Sequence, residues 1–145
     1  MSNTQFAFLK QDRLPSRAAL QAAIDALGYD LQLYPELDLR SDSGFSPCVL
    51  NGVSDVGFEL ETGPVAEVAG DDEEILAIAG DNDLCISMVW RSSMKDCAAV
   101  MIVSCALQKD FGAVISYEGD EPQPLEDALA ALPEIIAEAM QQRKR

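Results

Sequence analysis

The stretch FSPCVLNGVSDVGFELET, residues 45–62, decides the fold. Asn51-Gly52 is the favoured dipeptide of a two-residue hairpin turn, because both positions need positive φ. It separates a strand predicted from about Pro47 to Leu50 from a second predicted over Val53–Glu61. Alternation in the second strand puts Val56, Phe58 and Leu60 on one face. Gly57 interrupts the side-chain pattern and marks a bulge or a close backbone approach. A hairpin with one apolar face needs neighbours that bury it, so the flanking segments must supply more strands and a covering layer.

Downstream, Leu84–Trp90 is almost continuously apolar, which suits the interior of a sheet. An Arg91-Ser-Ser turn then leads into a helix predicted over 94–107. Ser93 and Asp96 have capping-box spacing, and Cys97, Ala98, Met101, Ile102 and Cys105 form the buried side. Gly112 closes that helix and AVISY, 113–117, reads as a strand; GDEPQP, 119–124, is a loop. The last helix starts near Leu125 and carries Leu125, Ala128, Leu129, Leu132, Ile136 and Met140 on one side. Pro133 either kinks it or begins a second helical piece. Upstream, Phe6–Leu9 reads as a strand. LPSRAALQAAIDALGYD, 14–30, reads as a helix with Ser16 as N-cap, Gly28 past its C-terminus and Leu20, Ala23, Ile24 and Leu27 as its stripe. LQLY, 31–34, alternates as a strand that Pro35 limits. Glu73–Ala79 is predicted as a short helix capped by Asp71 or Asp72, with a strand bordered by acidic loops as the alternative. The order β-α-β-β-β-α-β-α-β-α predicts one α+β domain over residues 1–145, a single mostly antiparallel sheet with helices packed on a face.

The 145 residues include 25 acids, 10 bases and no histidine, a formal charge of −15. Such a surface repels nucleic acid and anionic membrane and attracts basic partners. Without histidine, neither a Ser-His nor a Cys-His pair can be built. Cys48, Cys85, Cys97 and Cys105 lack CxxC and zinc-ligand spacing, and read as free thiols in a reducing compartment. Cys97 falls in the first turn of a helix, where thiol pKa values drop, but also on its apolar stripe; the structural role is favoured. GDNDL, 80–84, lacks the EF-hand arrangement, and no glycine-rich phosphate loop is present, so neither a metal nor a cofactor is expected. The opening MSNTQFAFLKQD has an apolar core of only four residues before charge resumes, so a secretory leader is not expected and a cytoplasmic location is.

The densest charge lies between Asp55 and Asp83, with ten acids and no Lys or Arg. Asp71, Asp72, Glu73, Glu74, Asp81 and Asp83 are the candidate partner-binding residues there. Trp90 and Arg91 join them: Trp90 either seals the core at the end of its strand or stands with Arg91 at a binding rim. A solvated charged loop would have the same composition.

LPSRAALQAAIDALGYDLQLYPELDL (14–39), GFSPCVLNGVSDVGFELE (44–61) and WRSSMKDCAAVMIVSCALQKDFGAVISY (90–117), in a small, acidic, histidine-free domain, together resemble the immunity proteins of bacterial polymorphic toxins, including those of type VI secretion and contact-dependent inhibition. The resemblance carries no diagnostic motif, so no functional residue transfers by position. It implies a non-enzymatic protein that binds one cognate toxin or effector with a basic surface, either plugging its active site or locking it from elsewhere. The alternative is a small acidic regulatory or adaptor domain, one that forms a homodimer; an enzyme that uses no histidine comes third.

Overall fold

A computed structural model describes residues 2–141. The hairpin is formed as expected: Asn51 and Gly52 have φ of 49° and 82°, and they join β3 (Gly44–Leu50) to β4 (Val53–Pro64). Both strands are longer than predicted, because cross-strand pairing from Gly44↔Leu60 to Pro64↔Leu84 continues past the apolar alternation that marks them in sequence. The register shift lies between Cys48 and Leu50, so Gly57 is not the bulge. Its role is the close approach. A Cβ built there would stand 2.4 Å from Cζ of Phe45 and 2.6 Å from the Ser46 carbonyl oxygen.

Six strands form one antiparallel sheet in the order β2-β3-β4-β5-β1-β6, with β1 at Asn3–Leu9, β2 at Leu31–Leu33, β5 at Leu84–Trp90 and β6 at Val114–Tyr117. The continuous apolar run of β5 places it inside the sheet, between β4 and β1. One face carries Ala7, Leu9, Leu31, Leu33, Cys48, Leu50, Val56, Phe58, Leu60, Ile86, Met88 and Ile115, all buried in the main core. Against that face lie α1 (Arg17–Ala26), α4 (Met94–Phe111) and α5 (Leu125–Gln141). α4 packs on α1, α5 and the sheet at once, which is why Ala98–Val100 and Ile102–Leu107 are all buried. A helix enclosed on every side loses its amphipathic stripe.

The helices are not confined to that face. The short helices α2 (Val65–Val68) and α3 (Glu73–Ala79) close one end of the opposite face, where Val65, Ile75 and Ala79 bury Phe8 and Cys85. α5 runs unbroken through Pro133, and Met140, expected on its buried side, is 37% exposed. The rest of the expected stripe holds: Leu132 is buried, and Leu125, Ala128, Leu129 and Ile136 pack beside it, joined by Ala139 and Ile135.

The capping residues behave as the sequence indicates at two helices. Ser16 accepts from the Ala19 N–H, and Ser93 from the Asp96 N–H at 3.4 Å. Asp72 stands at the N-cap position of α3 without a side-chain cap bond.

The sheet edge formed by β2 and β3 changes character along its length. At β2, Gln21 of α1 acts as a substitute strand: its Nε2 donates to the Leu31 carbonyl at 2.7 Å and its Oε1 accepts from the Leu33 N–H at 2.8 Å. Arg17, one turn earlier, donates to the carbonyls of Leu33 and Tyr34. β2 covers only residues 48–50 of β3, because Pro35 follows so closely that the chain peels away. The outer edge of β3 from Gly44 to Pro47 is therefore left without a strand. Gly57, opposite Pro47, donates its N–H to Oδ1 of Asp96 at 3.0 Å, away from β3. Pro47 thus faces the outer edge, where its missing N–H interrupts no ladder and discourages strand addition.

Candidate functional site

The predicted acidic residues separate into two clusters at opposite ends of α3. Asp71, Asp72, Glu73 and Glu74 are exposed at its N-terminus. Their charge there complements the helix dipole, so the fold itself accounts for part of their clustering. Asp81 and Asp83 follow the C-terminus, one helix length of roughly 10 Å away. That distance is about a Debye length at physiological salt, so the clusters act nearly independently.

Tertiary structure also brings bases to the second cluster. Asp81 and Asp83 share an open cleft of about 620 Å³ with Lys10, Gln11, Asp12 and Arg40. Asp83 further accepts the Gln11 N–H at 2.8 Å, which secures the 3₁₀ turn after β1. The base-free tract of the sequence is thus not base-free in space at this end.

Trp90, predicted for either core or rim, is 7% exposed and belongs to the core. It ends an interior strand on the helix-covered face, and its ring lies 6.1 Å from that of Tyr117. Tyr117 Oη donates to Asn3 Oδ1 at 2.7 Å, and Asn3 Nδ2 donates to the Arg91 carbonyl at 3.0 Å, which locks this corner. Of its two readings, Trp90 therefore takes the structural one, sealing the core at the end of its strand. Arg91 remains exposed.

The face opposite α4 offers what the linear tract did not display. α2 and α3 cover only the row Gly63, Cys85, Phe8 and Val114 and part of the next one. Beyond them the register sets Phe45, Glu59, Val89 and Thr4 side by side, and next to that row Glu61, Ser87, Phe6 and Ser116. Directly opposite residues have Cβ atoms about 5 Å apart, so Glu59 is flanked by Phe45 and Val89. Glu59 and Glu61 are exposed, and Phe45 is 64% exposed, the most of any large apolar residue among those described. This is an acidic surface bordered at the sheet edge by an exposed aromatic ring. The outward positions 59 and 61 were legible from the alternation of β4; what the sequence withheld was which strands would lie beside them and how far the covering helices would reach.

The chemistry of the thiols is that of buried structural groups. Burial pushes Cys48 and Cys85 up to about 12 and Cys105 up to about 11. Cys97 is raised as well, by burial first and then by the carboxylates of Asp96 and Glu138. These effects outweigh the helix N-terminus that would lower it. Asp96 is itself raised, chiefly by burial, although the Gly57 N–H opposes the shift. Among the described residues no three Cys, Asp or Glu side chains gather as a metal-ligating group, and no helix is long and apolar enough to cross a membrane. Compared with protein-family models, curated proteins and solved structures, the chain matches none of them.

Proposed function

We propose that this protein binds and neutralises a cognate secreted bacterial toxin, or effector, by presenting an acidic face to a basic surface of that partner. One observation carries the reading: part of a sheet face is left uncovered, and it displays exposed Glu59 and Glu61 beside the exposed ring of Phe45. An uncovered sheet face with an exposed aromatic is the anatomy of an interface centre, and the acids provide steering toward a basic partner. Asp71–Glu74, on the helix that borders this face, extend the field. The net charge of −15 raises the encounter rate, while contacts around Phe45 slow dissociation.

The test is co-purification with the product of the adjacent gene, followed by association kinetics at two salt concentrations. The double substitution Glu59→Gln/Glu61→Gln is expected to slow association several-fold at low salt and less at high salt. Neutralising Asp71, Asp72, Glu73 and Glu74 together is expected to add a smaller effect of the same sign. Association at the wild-type rate for both variants at both salts would refute an acidic interface.

A further inference from the structure

We propose that the groove between the 34–43 segment and the outer edge of β3 is the receptor for an arginine side chain of the partner. The inference rests on the acidic-interface reading and names the residue that the partner must bring.

The groove follows from the shortness of β2. Pro35 ends that strand after Leu33, and the chain leaves the sheet while β3 continues to Gly44. The gap, about 260 Å³, is lined by Tyr34, Leu37, Asp42, Phe45, Pro47 and Leu60 among others. Two aromatic rings are thus offered to solvent, Tyr34 at 38% and Phe45 at 64% exposure. Asp42 is the one acid among the lining residues described, and no base is among them.

Each wall is fixed before a ligand arrives. The Phe45 ring rests over Gly57, the only residue type that leaves it room there. Asp42 is held by its own turn: Oδ2 accepts the Asp38 N–H at 2.9 Å, and the Asp42 N–H returns to the Asp38 carbonyl at 2.8 Å. Asp38 tightens the same turn through Ser41 Oγ and the Arg40 N–H. Leu37 and Leu39, both buried, pin the segment to the main core. The chain's own nearby bases are turned elsewhere. Arg17 is engaged by the carbonyls of Leu33 and Tyr34, and Arg40 lines the cleft with Asp81 and Asp83.

Charge complementarity selects the occupant. An apolar anchor would desolvate Asp42 without pairing it. An anion would meet Asp42 and, across from Phe45, Glu59. Lysine satisfies the carboxylate as a point charge but lacks a planar face. The guanidinium both stacks on an aromatic ring and pairs with a carboxylate. A second copy of this chain is a poorer fit, because two surfaces that each carry Asp42 and Glu59, on chains of charge −15, repel.

The test uses the isotopically labelled full chain, titrated with a capped pentapeptide, Gly-Gly-Arg-Gly-Gly, and with its lysine and citrulline counterparts. The arginine peptide is expected to give saturable NMR shifts at Tyr34, Asp42, Phe45 and Gly57. The lysine peptide should bind several-fold more weakly, and the uncharged citrulline peptide should leave the spectrum unchanged. Asp42→Asn, which keeps an acceptor for the Asp38 N–H, and Phe45→Ala, at an exposed position, should each weaken the arginine peptide about ten-fold. Absence of saturable shifts, equal binding of citrulline, or shifts centred on Asp71–Glu74 that survive both substitutions would each overturn the pocket. The broader reading fails separately. A partner whose association is slowed by Glu59→Gln/Glu61→Gln but is indifferent to Asp42→Asn and Phe45→Ala would remove the pocket and leave the acidic interface. A partner indifferent to all of them would remove both.

Discussion

Replacing Asp96 tests how the hairpin is tied to the central helix. Its Oδ1 accepts the part-buried Gly57 N–H at 3.0 Å, a hydrogen bond from β4 to the first turn of α4. Asp96→Ala leaves that donor unsatisfied, at a cost of about 1–3 kcal/mol. The loss of an acid from the first turn of α4 adds about 0.3–1 kcal/mol. Removing the carboxylate also returns something, because burial raises its pKa and therefore disfavours the charged form in the fold. Asp96→Asn keeps an acceptor for Gly57 and sheds the charge. It is expected to fall within about 1 kcal/mol of the parent, with Asp96→Ala about 1–3 kcal/mol below it. For a chain near this size each kcal/mol moves the melting temperature by roughly 2–4 °C. Urea unfolding followed by Trp90 fluorescence, checked against thermal melts, measures both variants. If Asn is as damaging as Ala, the charge at the helix terminus and not the hydrogen bond ties the hairpin down. If Ala costs nothing, Gly57 finds another partner and the argument fails.

Gly57→Ala should destabilise by about 1–3 kcal/mol, since the new methyl meets the Ser46 carbonyl as well as the Phe45 ring; in Phe45→Ala most of that cost should persist, a double-mutant comparison that unfolding titrations resolve. Asp96 titrates with a folded pKa above the usual carboxylate value, so the stability it contributes is complete below that usual value and is lost as pH rises through the raised one. Stability measured by urea midpoints should therefore climb as pH falls through the raised Asp96 pKa toward the usual carboxylate value, and Asp96→Asn should flatten the climb. Asp38, held low chiefly by its hydrogen bond from Ser41, acts with the opposite sign: its contribution is present above the usual carboxylate range and lost as pH falls through the lowered pKa, so Asp38→Asn should loosen the 38–42 turn and lower the urea midpoint slightly near neutrality while leaving it unchanged at strongly acid pH. Thiol titration with an aromatic disulfide should find all four cysteines unreactive over minutes in the native protein and all four reactive in denaturant; rapid labelling of Cys97 in the native state would contradict the burial that raises it.

Local signals carried much of the fold. Asn51-Gly52 dictates a turn of positive φ, Ser16 and Ser93 dictate where helices start, and Gly112, in the left-handed region at φ 71°, where α4 ends. The alternation of Val56, Phe58 and Leu60 and the unbroken apolar run of Leu84–Trp90 correctly separate a strand with one buried face from a strand buried on both. These features depend on neighbours within a few residues, so a sequence states them directly. Met140 and Trp90 mark the limit. Periodicity says that a side chain lies on a helix stripe or at a strand end, but not whether another element reaches far enough to cover it.

The site depended on that longer range. The acids of the 55–83 tract are contiguous in sequence, yet α3 holds its two clusters apart and the fold sets Lys10 and Arg40 beside Asp81 and Asp83. Conversely, Phe45, Glu59, Val89 and Asp42 come from three separate stretches of chain. Only strand register and the early end of β2 at Pro35 bring them to one surface. Composition determined that the protein is acidic, because charge sums without regard to position. Where that charge meets an exposed aromatic ring was decided by tertiary structure alone, because register and coverage arise from pairings between residues far apart in the chain.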